Sequence, residues 1–211
     1  MPDRPERRGL ALTAAASLVP FLALALWARF ETPAVWEADL LVAAAAREGL
    51  TGDALRALTT LGELVLWALI ALVLTTVAVL AGRAWAGLLV ALSVASDLVA
   101  FVVKLLVERS RPEGALVEVL FGTESFAFPS GHVVRATALM AVVAWLVTPH
   151  RWRLPVAVGA GAVAGLVMGY SRVALGQHWP TDALGGLLLG IGWFAGTAWF
   201  AGNRAIARRM A

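Results

Sequence analysis

Runs of about twenty residues nearly free of charge recur along this chain, and they restrict its fold more than any other feature. A segment of that length crosses the hydrocarbon layer as an α-helix, because there every backbone donor and acceptor must find its partner inside the segment. Six such runs stand at about 10–30, 61–81, 85–107, 132–148, 154–170 and 182–201. The alternation of a membrane barrel is missing, so the expected fold class is all-α, an integral membrane bundle of six transmembrane helices. With 60% hydrophobic residues and a mean hydropathy of +0.80 over 211 residues, a soluble domain is excluded. The first run follows Arg4, Arg7 and Arg8 but is long for a signal peptide. It ends in Trp27, Arg29, Phe30 and Glu31 rather than at a small-residue cleavage site, so it is read as a retained span. Residues 31–60 mix charges with Leu and Ala at helical spacing, as expected of a short amphipathic segment on the membrane surface or over the bundle.

Six spans place both termini on one side. The arginines at the amino terminus, Arg83, Arg151, Arg153, Arg204, Arg208 and Arg209 all fall on that side, which the positive-inside rule makes cytoplasmic. The cell inner membrane is the expected location. The basic balance, net +3 with a pI near 10.5, is spread over segment ends, so it speaks for topology and not for nucleic acid. Without cysteine, disulfides and thiolate metal sites are excluded. No internal repeat or linker divides the chain, so residues 1–211 are expected to form one domain.

Three polar clusters then meet at the opposite, outer face. The first holds Lys104, near the outer end of the third span, and Arg111 before Pro112; the proline should end the helix by about Arg111, letting that side chain fold back beside Lys104. The second is Pro129-Ser130-Gly131-His132 at the start of the fourth span. Ser130 suits an N-cap, Gly131 lets an anion approach the backbone, and the first-turn amides are a ready phosphate site. The third runs from Ser171 to Asp182. Pro180 suits the first position of a helix, so Asp182 can point from the first turn back to His178 and hold one tautomer of the ring. The planar fork of Arg172 matches phosphate oxygens two at a time, which points to phosphorus as the electrophile. Taken singly, each group has an ordinary structural role, as interfacial cation, helix cap or hydrogen-bonded histidine. Their convergence at one end of one bundle is what those roles leave unexplained.

Spaced so, the residues resemble the type 2 phosphatidic acid phosphatase family, the membrane branch of a superfamily shared with vanadium haloperoxidases. The resemblance covers roughly residues 50–200 and rests on three motifs in order: Lys104 to Pro112, Pro129 to His132, and Ser171 to Asp182. It implies that His178 attacks phosphorus, that Asp182 orients it, and that His132 protonates the leaving group and then activates water. It further implies that Lys104, Arg111, Ser130, Gly131 and Arg172 bind the phosphate, and that no metal or other cofactor is needed.

The expected activity is hydrolysis of a lipid phosphate or diphosphate, of the undecaprenyl diphosphate, phosphatidylglycerol phosphate or phosphatidic acid class. The partners are that substrate and membrane lipids, with no nucleic acid. The alternatives are phosphotransfer from the same phosphohistidine and non-catalytic binding of a lipid phosphate; the soluble haloperoxidases fit six spans poorly. Two charges lie outside the motifs. Asp97 is about 10 Å deeper than Lys104 on the same helix face and is expected to pair with Arg135, three residues into the next span, for which the other readings are snorkelling, an extra anion-binding group and a partner for an acidic lipid. Rows of glycines, Gly161, Gly165 and Gly169, then Gly186 and Gly190 or Gly192 and Gly196, are expected to let the fifth and sixth spans pack closely.

Overall fold

The structure is a computed structural model and describes residues 2–30, 33–47, 57, 60, 63–112 and 126–210. Its elements, in chain order, are α1 (Arg4–Arg29), α2 (Pro33–Arg47), α3 (Leu64–Leu80), α4 (Ala84–Val107), α5 (Gly131–Val147), a 3-10 turn (His150–Trp152), α6 (Arg153–Ala174) and α7 (Pro180–Met210). Among the described residues there is no strand. Among the described residues, four stretches are long and apolar enough to cross a bilayer: Arg4–Arg29, Ala84–Val107, His150–Ala174 and Pro180–Ala201. α3 and α5 are apolar but have only 17 residues each, at the short end of what spans the hydrocarbon layer.

The two short helices differ in surroundings. α5 is buried on nearly all sides, from Val133 and Val134 through Leu139 to Trp145, so it is enclosed by its neighbours and needs no full-length apolar surface of its own. α3 buries only Ala71 among its residues and exposes Val65, Leu69, Leu72, Val73, Val77 and Leu80. An apolar surface of that kind suits contact with lipid.

Local chemistry moves several helix ends from their expected places. α1 begins at Arg4 rather than near Leu10, because the carboxylate of Asp3 accepts the amide of Glu6 at 2.9 Å and Pro5 suits the first turn. The same end of the bundle holds the 3-10 turn, where His150 Nε2 lies 3.0 Å from Glu6. α4, by contrast, ends at Val107 as its apolar run does, within the limit set by Pro112. Glu108 takes left-handed backbone angles (φ 52°) and its amide bonds the Lys104 carbonyl at 2.9 Å, which ends the helix before the proline acts. α6 runs on to Ala174, so Ser171 and Arg172 lie in its last turn instead of in a loop. The amphipathic segment expected at 31–60 contains α2; of its remainder, only residues 57 and 60 are described.

The glycine rows serve α5 more than they serve a direct contact of α6 with α7. A Cβ on Gly186 would stand 2.8 Å from the Ser130 carbonyl, and one on Gly190 2.9 Å from the Val134 carbonyl, so α7 rides against the backbone of α5. Gly161 meets Thr137 and Ala141 on α5 in the same way, while Gly169 faces Ala183 and joins α6 to α7. Gly192 faces Leu18 on α1, and no atom of the described residues lies within 4 Å of a Cβ on Gly196.

Asp97 and Arg135 pair between α4 and α5, as expected from their helix phase. Arg135 NH2 lies 2.8 Å from Asp97 Oδ1, and Nε donates to both carboxylate oxygens at 3.0 and 3.3 Å. Both side chains are largely buried, so a lone charge left there is costly. Asp97→Ala is expected to lower stability by about 3 kcal/mol, and Asp97→Leu combined with Arg135→Met to recover most of it. Thermal unfolding in detergent reads both; an unchanged midpoint for Asp97→Ala would show that the pair contributes nothing.

Candidate active site

The polar residues gather where α4 and α6 end and α5 and α7 begin. α6 terminates because Gly176 takes φ +68°, a conformation that strains any side chain, and its amide turns back to the Val173 carbonyl at 2.9 Å. The Arg172 carbonyl then accepts the amides of Gln177 (3.0 Å) and His178 (3.3 Å), which folds His178 under the helix end. α7 starts at Pro180, as the sequence suggests. Asp182, in its first turn, accepts the Trp179 amide at 2.9 Å and sits 3.3 Å from His178 Nδ1, both through Oδ2.

The two ring nitrogens of His178 are thereby distinguished. A carboxylate only accepts, so Nδ1 carries the proton and Nε2 keeps its lone pair. Nε2 lies 3.3 Å from Arg111 NH1, which also donates to the Gln177 carbonyl at 2.9 Å. Burial drives the His178 pKa well below the ordinary imidazole value, and the cations of Arg111, Lys104 and Arg172 push it further the same way. Burial also lowers that of Arg111, with Asp182 opposing. The imidazole is therefore neutral, oriented and faced by positive charge, which suits attack on an electrophile bearing anionic oxygens.

The remaining expected residues arrive with differences. Lys104 does not extend freely beside Arg111: its ammonium donates to the carbonyls of Phe126 and Ala127, holding the strand of chain that leads into Pro129. Its charge still reaches His178. Arg172 is buried, with its Nε lacking a hydrogen-bond partner. Ser130 occupies the N-cap of α5 but makes no side-chain cap bond. Its amide is taken by the Asp182 carbonyl at 3.0 Å, while its buried hydroxyl has no partner among the described residues. Of the two groups Ser130 offers, the hydroxyl is thus the available donor. Gly131 lies beside the Arg135 guanidinium, 3.3 Å from where a Cβ would be. His132 is partly buried, with Nε2 3.6 Å from Glu63 just before α3.

Two residues at the site are not among the expected ones. Arg109 is buried and donates to Asp182 Oδ1 at 2.8 Å and to Asp39 Oδ2 at 2.6 Å. Asp39, on α2, also accepts the Thr181 amide at 2.8 Å and the Thr181 hydroxyl at 2.6 Å. The additional arginine at position 109 in Glu108-Arg109-Ser110-Arg111 is a visible signal for the first of these; one acidic residue in an amphipathic segment gives none for the second.

Comparison with known proteins identifies the relatives of this chain. A protein-family model described as the PAP2 superfamily matches residues 84–206. Phosphatidylglycerophosphatase B of Bacillus subtilis (strain 168) is 40% identical over 115 residues, 52% of this chain and 55% of that protein. Lipid A 1-phosphatase of Rhizobium etli is 32% identical over 107 residues, 47% of this chain and 43% of that protein. An undecaprenyl-diphosphatase of Sulfolobus acidocaldarius is 34% identical over 65 residues, 31% and 29% of the two chains. The chain thus spans about half or less of the length of the curated relatives it matches. The crystal structure of a transmembrane PAP2 type phosphatidylglycerolphosphate phosphatase from Bacillus subtilis superposes with a TM-score of 0.75 at 28% identity, covering 90% of this chain and 96% of that one. The apolar helices and this neighbour make the chain a multi-pass membrane protein. Because the family model takes in more than half of the chain, including every residue of the three motifs, the chain belongs to the PAP2 superfamily.

Proposed function

We propose that this protein is a metal-independent membrane phosphatase that hydrolyses a lipid phosphate or diphosphate through a phosphohistidine on His178. The observation that carries the proposal is the pairing of His178, Nδ1 to Asp182 at 3.3 Å and Nε2 to Arg111 at 3.3 Å. A binding site for an anion needs cations but no oriented, neutral imidazole. In the first step Nε2 bonds to phosphorus while the bond from phosphorus to the leaving oxygen breaks, and His132 gives that oxygen a proton. In the second, water loses a proton to His132, attacks phosphorus and breaks the P–N bond, which returns His178 and releases phosphate. Arg111, Arg172, Lys104, the Ser130 hydroxyl and the first-turn amides at Gly131 stabilise the equatorial oxygens, the role a metal plays elsewhere.

The candidate substrates are phosphatidylglycerol phosphate, undecaprenyl diphosphate and lipid A 1-phosphate, a choice supported by the names of the relatives. An amphiphile suits the location, since its head group can reach the polar end of the bundle while its tails stay in the bilayer. The arginines on the opposite end orient the site toward the outside of the inner membrane, with both termini in the cytoplasm.

Purified protein in detergent, with chelator present, is expected to release phosphate from at least one of phosphatidylglycerol phosphate, undecaprenyl diphosphate, lipid A and phosphatidic acid, at the rate found without chelator. No release by folded protein, or release only with added divalent cation, would sink the proposal.

A further inference from the structure

We propose that Arg109 and Asp39 are positioning residues for His178: Arg109 joins the buried carboxylates of Asp182 and Asp39, and so makes the surface helix α2 part of the active site. The inference rests on His178 being the reacting group proposed above.

The network is closed and nearly free of solvent. Arg109, Asp39 and Asp182 are 2%, 1% and 0% exposed at their side chains. Buried ions persist only when most of their hydrogen-bonding positions are filled; here all four carboxylate oxygens are engaged, and of the Arg109 nitrogens Nε lacks a partner among the described residues. On Asp182, Oδ1 accepts from Arg109, while Oδ2 accepts the Trp179 amide and faces His178 Nδ1. On Asp39, Oδ1 accepts the Thr181 amide, and Oδ2 accepts from Arg109 and the Thr181 hydroxyl. Arg109 also donates to that hydroxyl. One guanidinium thus sets the plane of the carboxylate that sets the tautomer of the ring.

Asp39 extends the control to α2. By holding the Thr181 amide, a first-turn donor with no acceptor inside the helix, it fixes the start of α7 and hence the place of Asp182. Trp36 on α2 packs edge-on against Trp179 with centroids 4.6 Å apart, and Arg109 lies over the same ring at 5.9 Å. Trp179 in turn donates to the Ser110 carbonyl at 3.1 Å. Leu40, Leu41 and Val42 are exposed on α2, which suits a helix that lies at the membrane interface and docks by its polar contacts.

Without Arg109, Asp182 Oδ1 has no donor and the carboxylate can turn away from the ring. Asp39 is then a buried charge without its cation. The first effect is on positioning and the second on stability, so they separate by experiment. The chain has three histidines, His132, His150 and His178. Nitrogen-15 labelling of histidine in the full-length protein in micelles, with His178→Gln to identify the signal, reads the tautomer directly.

Wild-type protein is expected to show His178 protonated at Nδ1 alone. Arg109→Met should show a tautomer mixture and a kcat reduced by about 30-fold or more, with KM within about 3-fold. Arg109→Lys should recover part of the rate, since an ammonium cannot serve both carboxylates as a planar fork does. The double variant Arg109→Met with Asp39→Asn removes the orphaned charge; it should regain thermal stability while keeping the mixed tautomer and the low kcat. A wild-type tautomer in Arg109→Met, or in the double variant where the single one does not fold, would overturn the proposal. So would a kcat restored along with stability in the double variant. Wild-type protein that turns over no substrate would count against the hydrolytic reading alone, because the tautomer measurement still decides the role of Arg109.

Discussion

His178→Gln is expected to abolish phosphate release, with kcat falling by at least about 10⁴-fold while the protein remains folded and monodisperse in detergent. Removal of a covalent nucleophile has effects of that order, because the remaining machinery can only help water attack directly. Glutamine keeps polar atoms near Asp182 and Arg111 but has no nitrogen lone pair able to form a phosphoramidate. A brief reaction of wild-type protein with labelled substrate, quenched in alkali, should retain label on the protein, and acid should remove it. The variant should retain none. Because burial and three cations hold the His178 pKa well below 6.5, the ring stays in its reactive neutral form as pH falls. The acid limb of kcat/KM should accordingly lie below the ordinary histidine range. Activity in His178→Gln above about one per cent of wild type would rule out the nucleophile assigned here.

His132→Ala should lower kcat by about 10²–10⁴-fold, the usual contribution of a positioned general acid and base. The leaving group distinguishes this role from a structural one. A lipid alkoxide must be protonated as it departs, whereas p-nitrophenolate leaves without help. The first step of the variant with p-nitrophenyl phosphate should therefore be slowed at least about 10-fold less than with a lipid monoester. The second step lacks its base with either substrate, so a burst of nitrophenolate followed by slow turnover is expected. The position of His132 in the first turn of α5, partly buried and 3.6 Å from Glu63, keeps it beside the site and short of full burial. An equal loss of rate on both substrates, with no burst, would argue that His132 only supports the fold.

Parts of the site were legible in the sequence because they depend on short-range geometry. The distance from His178 to Asp182 is spanned by one turn at a helix start, and Pro180 marks that start. Asp97 and Arg135 could be matched because helix phase and depth followed from span boundaries. The end of α4 at Val107 agrees with the apolar run and with the limit set by Pro112, although the left-handed cap at Glu108 that makes it is not announced by composition. One part misled for an equally physical reason. Ser130 looked like a side-chain cap, yet its amide is claimed by Asp182 and its hydroxyl is left for another partner. Lys104 feels the charge of Arg111, as the motif suggests, and its ammonium also donates to two backbone carbonyls of the chain before Pro129, which the motif does not announce.

Apolar run length and the order and spacing of polar residues were enough to establish an all-helical membrane chain and to bring three clusters to one end of it. Both are consequences of local rules, the length of helix needed to cross hydrocarbon and the phase of side chains around a helix. Which polar atom meets which was settled only by the packed bundle. Arg109 joins carboxylates 70 and 73 residues away in opposite directions along the chain, and Asp39 caps a helix 142 residues downstream. Such partners are chosen by where close-packed helices leave buried charges and unfilled amides together, since each must then be satisfied by whatever group the fold brings within reach.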